Sequence, residues 1–186
     1  MHAVLQQVFD SYSSQLSGAP ADWCQMHPLQ DDRLWSAQEL IEHLVLTCRS
    51  TSRVLAKRLE RGRPTKDHGT AVQWMLQMMV LSFGYFPRGA PAPGFARPDQ
   101  LHWPAMNGAE AIELFRREID EMDALLDQCR ERFGLQRVAT HFMLGPLRPD
   151  QWRRFHAVHM RHHLGQLRRL EQAVGHPVAQ EAAAGA

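Results

Sequence analysis

PDQWRRFHAVHMRHHLGQLRRL, residues 149–170, is the stretch on which the fold turns. Trp152, Phe155, His159, His163, Leu167 and Leu170 recur at intervals of three and four, the period of one α-helical face. Pro149 suits the first helical position, where its missing N–H costs nothing, and Gly175 ends the pattern. His159 and His163 stand four apart, about 40° of rotation and roughly 6 Å of rise. Both imidazoles therefore share the apolar side, which must face a core.

Upstream, Leu40, His43, Leu44, Thr47, Thr51, Leu55 and Leu59 make a second stripe. Ser36 and Glu39 form the capping box that opens it, and Arg61-Gly62-Arg63-Pro64 closes it. The segment 70–83 repeats the pattern through Val72, Met75, Leu76, Met79, Val80 and Phe83. From 109 to 133, Ile112, Phe115, Ile119, Met122, Leu125, Leu126, Cys129 and Phe133 share a face, and Gly134 is a natural stop. Residues 1–16 make a weaker helix. Between Tyr85 and Gly108, Pro87, Pro91, Pro93, Pro98 and Pro104 interrupt any periodicity, so a long surface loop is expected there, of a kind that either lies over a functional region or is simply mobile. No stretch alternates with period two long enough to be a strand. Amphipathic helices must bury their faces against one another, which predicts an all-α helical bundle with an extra N-terminal helix and a long Pro-rich loop. It forms one domain over 1–178, followed by a flexible tail over 179–186.

The 186 residues carry 21 Lys+Arg against 20 Asp+Glu, so no strong field is available to gather nucleic acid or an anionic membrane. Cys24, Cys48 and Cys129 are too scattered for a disulfide framework or a cysteine zinc site. The opening residues lack a signal-peptide pattern, and no apolar run could span a bilayer, which points to a cytoplasmic protein. Arg153-Arg154 and Arg168-Arg169 read as solvated helix faces, and Met75, Met78 and Met79 as adaptable core filler. No Glu-x-x-His motif occurs, against a di-iron carboxylate bundle.

What the composition does offer is 11 histidines. His43 interrupts an apolar stripe, as His159 and His163 do on the last helix, so three imidazoles from two helices aim at one core. A buried imidazole must satisfy two nitrogens and resists becoming charged. A divalent ion answers both demands by taking one nitrogen from each ring, and three such ligands suit Zn²⁺, Ni²⁺, Fe²⁺ or Mn²⁺ alike. The bland reading is a set of core histidines bonded to backbone. His156 could replace His159 in the set, His162 belongs at a pocket rim, and His2, His27, His68, His102 and His176 read as surface residues. Glu39 and Glu42 flank His43 as a cap and a surface residue, leaving no carboxylate to place beside the histidines.

The run His159-x-x-His162-His163-x-Gly165-Gln166-Leu167, with Trp35-Ser36-x-x-Glu39-Leu40-x-x-His43-Leu44 upstream, resembles the DinB/YfiT-like metalloprotein superfamily. His141-x-x-x-Gly145-Pro146-Leu147-x-Pro149-x-x-Trp152 is similar to a DinB-like branch without an assigned activity, departing from its pattern at Phe142 and Arg148. The resemblance runs from about Trp35 to Leu170. It implies an up-down-down-up four-helix core, often a homodimer, and a three-histidine metal site falling on His43, His159 and His163.

Superfamily members include S-transferases and isomerases that use bacillithiol, mycothiol or glutathione. The resemblance therefore implies a metal that activates a low-molecular-weight thiol, or else water, toward a small-molecule substrate. His141 and Gln166 are candidate catalytic or pocket residues, His141 as a proton carrier or substrate contact. The opposing expectation is a non-catalytic bundle whose histidines serve packing or dimer assembly.

Overall fold

The computed structural model describes residues 1–28, 34–86, 92–98 and 102–175. The expected tail, 179–186, and His176 lie outside them. Four long helices make the bundle: α1 (Ala3–Leu16), α3 (Ala37–Glu60), α5 (Gly108–Phe133) and α6 (Pro149–Val174). α2 (Ala21–Cys24) is a single turn and α4 (Ala71–Gln77) a side helix, so the N-terminal helix is one of the four bundle helices and not an extra one, the place expected for 70–83 being taken by α1.

Three helices, α3, α4 and α5, start with a side-chain cap that satisfies N–H groups of the first turn. Ser36 Oγ accepts from Glu39 N while Glu39 Oε2 accepts from Ser36 N at 2.8 Å. Thr70 with Gln73 and Asn107 with Glu110 repeat this reciprocal cap. At α6, where Arg148 stands at the cap, Gln151 Oε1 accepts from Arg148 N at 3.0 Å and Pro149 follows as the first helical residue. Gly134 ends α5 with φ +62°, a conformation that other residues adopt only at a cost.

Side-chain pairings set the helix directions. The Gln38 side chain meets Met106 N just before α5, and Arg49 meets Glu118 further along both helices, so α3 and α5 run parallel. Going up α3 from His43 to Thr51, the partners on α6 descend from His159 to His156, so these two are antiparallel. His2 N donates to Asp123 at one end of α1, and Gly108 N donates to Ala19 O just past the other, so α1 opposes α5. The result is up-down-down-up. Parallel neighbours cannot be joined by a short turn, and residues 61–107 provide the crossover.

The core joins Leu5, Phe9 and Tyr12 of α1 to Ile41 and Leu44 of α3, Phe115 and Ile119 of α5, and Leu164 and Leu167 of α6. Tyr12 O–H donates to the Met160 carbonyl at 2.7 Å, tying α1 to the middle of α6. Buried within α5 and α6, Arg153 meets Asp123 at 2.5 Å and reaches the more exposed Asp127 at 2.6 Å. Arg153 is thus no solvated residue, contrary to the periodicity reading, because two carboxylates of α5 are aligned to receive it.

Other expectations are corrected. The connector contains a small antiparallel hairpin, β1 (Ala139–His141) with β2 (Gly145–Leu147), too short for alternation to reveal. The helix 70–83 changes to a π turn at Met78–Ser82, and Val72, Met75, Met78 and Phe83 are exposed, Phe83 by 76%, so Met75 and Met78 are not core filler. Only Gln77 and Val80 are buried there, with Gln77 Nε2 donating to Leu144 O in the hairpin. Glu42 is buried, accepting from Gln38 Nε2 at 2.7 Å. The Pro-rich segment does not stay on the surface: Ala96, in a 3₁₀ turn at Gly94–Ala96, is fully buried.

Gly108 opens α5 against the chain that leaves α1, and a Cβ there would lie 1.6 Å from the Leu16 carbonyl oxygen. Helix propensity alone would make Gly108→Ala stabilising by up to about 1 kcal/mol. We expect the opposite, a loss of several kcal/mol or failure to fold, because backbone would have to move; a urea midpoint at or above the parent value would refute the close approach.

Candidate metal centre

His43 comes from the second turn of α3, and His159 and His163 from successive turns of α6. The antiparallel packing of these helices brings the three rings together. His159 Nε2 lies 3.2 Å from His43 Nε2 and 2.9 Å from His163 Nε2. The three rings are only 4–5% exposed.

Their outer nitrogens determine what the inner ones present. His43 Nδ1 lies 2.7 Å from the Ala96 carbonyl, which can only accept, so this nitrogen carries the hydrogen and Nε2 is left with a lone pair. His163 Nδ1 donates in the same way to Gln166 Oε1 at 2.7 Å. Two lone pairs thus face His159. Its Nε2 has at most one hydrogen to offer two acceptors, and its Nδ1 is buried with no partner among the described residues. In the other tautomer three lone pairs meet with no hydrogen between them. Neither arrangement satisfies the cluster, whereas one cation at its centre would.

A proton is poorly suited to that role. Burial pushes His43 down to about 4 and His163 to about 3, and drives His159 well below the ordinary imidazole value, with the neighbouring imidazoles adding to the effect. A metal ion fits the donors better. Nitrogens about 2.1 Å from one ion lie about 3.0–3.4 Å apart for angles between 90° and tetrahedral, close to the two spacings seen. The ligating nitrogens of all three residues fall within 4.8 Å of one another. Two of the three rings are already aimed by an acceptor on the far nitrogen, the arrangement that orients histidine ligands.

Residues from the connections enclose the cluster. Trp35 lies 4.8 Å from His43 and 6.1 Å from His163 between ring centroids, and Phe86 lies 5.1 Å from His159 and 5.0 Å from His162. Phe155 stacks on His159 at 5.5 Å. Of these, Phe86 and the Ala96 carbonyl were not legible in the sequence, since a loop without periodicity does not say where it folds back. Trp35 had a signal, its place beside the cap of the helix that carries His43.

The remaining candidates separate. His156 shares the face of His163 but lies seven residues before it, about 10 Å lower along the helix, and instead of joining the cluster sits 3.0 Å from Thr51 Oγ1. His162 is half-buried beside Phe86. Gln166 acts through His163, as above. His141 Nδ1 accepts from both Met143 N and Leu144 N at 3.1 Å, so its lone pair is committed to the hairpin turn and it is poorly placed to carry protons. Its ring lies 4.4 Å from Phe155, which separates it from the cluster. Glu42 is held by Gln38 and is not among the ligating groups, so no carboxylate joins the cluster among the described residues.

A family model described as the DinB superfamily matches residues 4–167, nearly the whole described bundle. Searches of curated proteins and of solved structures return no significant match.

Five buried histidines are held neutral: His141 is lowered to about 4 and His156 to about 3, both by burial, alongside the three of the cluster. In the unfolded chain the same groups take up protons near pH 6.5. Their contribution to stability is therefore complete above pH 6.5 and is lost progressively as pH falls toward about 3. Metal-free protein should show a falling urea midpoint from pH 7 to pH 5. His156→Gln should reduce the slope by up to about 1.4 kcal/mol per pH unit, one proton's share. A midpoint flat over that range would contradict the burial of neutral imidazoles.

Proposed function

The chain belongs to the DinB superfamily, and from that premise we propose that it binds one divalent transition-metal ion through His43, His159 and His163 and presents it to a low-molecular-weight thiol or to water. The observation that carries this reading is the convergence of lone pairs on one point, with both flanking rings turned so that their hydrogens point away. Three neutral imidazoles cancel none of a divalent ion's charge, so an ion held there would supply Lewis acidity to an exogenous anion, a thiolate or hydroxide being the natural choices.

The chain's own groups would do the rest. The Ala96 carbonyl and Gln166 fix the tautomers of His43 and His163, and Trp35, Phe86 and Phe155 keep bulk water from the rings. On this reading the protein is a single-domain, cytoplasmic, thiol-dependent transferase or isomerase, or a hydrolase, working on a small molecule as a homodimer. No described helix is long and apolar enough to cross a membrane.

The low exposure of all three rings favours a second reading, in which the ion is structural and the bundle non-catalytic. Cobalt substitution separates the two. Untagged protein should contain about one metal ion per chain, lost in His43→Ala and in His163→Ala. Addition of glutathione, mycothiol or bacillithiol to the cobalt form should produce a sulfur-to-metal charge-transfer band. A metal-bearing protein whose spectrum ignores every thiol, and which turns over no electrophile, would be the structural bundle. Protein that takes up no metal would end both readings. Gln166→Leu, which removes the acceptor behind His163, should weaken metal affinity by about 10–100-fold while leaving the fold intact.

A further inference from the structure

At the other end of the bundle lies an open cavity of about 500 Å³, within the range of small-molecule sites. Arg148, on its wall, precedes His159 by eleven residues, about 16 Å of helix rise, so the cavity is separate from the histidine cluster. Three separate segments deliver a cation to it: Lys66 from the chain after α3, Arg137 from the chain after α5, and Arg148 at the start of α6. Trp74 of α4 adds a half-exposed indole, with the Arg137 guanidinium 4.8 Å from its ring centre.

The charges on this wall are not internally cancelled. Among the described residues neither Lys66 nor Arg137 meets a carboxylate within ion-pair distance. Asp67, the one acidic residue of the lining, is engaged instead by the Thr140 hydroxyl, and its N–H donates to Thr65 Oγ1. Arg148 spends one terminal nitrogen on Asp150 at 3.2 Å, outside the lining, while its Nε is buried with no acceptor among the described residues. Within the lining, Lys66, Arg137 and Arg148 against Asp67 leave an excess of two positive charges, of which Arg148 shares its own with Asp150. Cations gathered from three segments around one concavity repel each other, and an anion in the cavity would relieve that.

We propose that this cavity binds a small organic dianion of the phosphate-monoester or dicarboxylate class through Lys66, Arg137 and Arg148, with Trp74 as a stacking face for any planar ring the ligand carries. Guanidinium groups suit both anions because their forked N–H donors match two oxygens at once. The site is independent of the metal reading and stands or falls without it.

The test is titration of the full-length protein with adenosine monophosphate, inorganic phosphate and succinate, read by calorimetry and by thermal midpoint. At least one should bind saturably and raise the midpoint, as a ligand selective for the folded state must. Tighter binding of the nucleotide than of phosphate, abolished in Trp74→Leu, would identify a ring-bearing phosphate; preference for succinate would identify a dicarboxylate. Lys66→Ser combined with Arg137→Ser should weaken binding by at least about tenfold, the loss expected for charge-assisted hydrogen bonds. Should that pair fail to fold, the exposed Lys66→Ser alone should still weaken it measurably. Binding in His43→Ala should match the parent. No saturable binding by any of the three probes, or equal affinity in folded Lys66 and Arg137 variants, would overturn the proposal.

Discussion

Three buried imidazole nitrogens that face one another, with too few hydrogens to share, are the constraint around which this bundle is arranged. Apolar burial would be better served by leucine at each position, since a buried polar group must find a partner or lose stability. Placing histidine at the inward positions of two facing helices makes sense only if something electrophilic compensates the lone pairs. The depressed affinity of these rings for protons leaves a metal ion as the group whose chemistry matches.

The topology follows from the need to enclose that point. α3 and α5 run parallel, which forces a long crossover, and the crossover is put to use. Phe86 comes from its middle and settles over His159 and His162, and Ala96 turns its carbonyl to His43. The same connection carries α4, whose inner side is anchored on the hairpin by Gln77 while its outer side stays exposed. A crossover that merely joined two helices would not need to deliver a backbone acceptor to one histidine and an aromatic ring to another.

What could be read from the sequence was whatever repeats along a single helix. The stripes of α3, α5 and α6, the cap at Ser36, the stop at Gly134 and the inward direction of His43, His159 and His163 all depend on neighbours within a few residues. What escaped depends on partners distant in the chain. Arg153 looks solvated until Asp123 is placed opposite it, and Glu42 until Gln38 turns toward it. The apolar residues of 70–83 show a helical period yet mostly face outward, because a period reports that a face exists and not what lies against it. The hairpin at 139–147 is too short to leave any period.

The bond from Tyr12 to the Met160 carbonyl gives the first helix an influence on chemistry to which it contributes no ligand. Met160 lies between His159 and His163, so a hydroxyl held by the opposite wall of the bundle grips α6 within the very turn that spaces the two rings. Bending or unwinding of that turn would have to carry α1 with it, and α1 is itself moored at both ends against α5. The rigidity of the nitrogen cluster is thus a property of the closed four-helix ring, and the residue that stiffens it most directly is drawn from a helix that contributes no histidine to it.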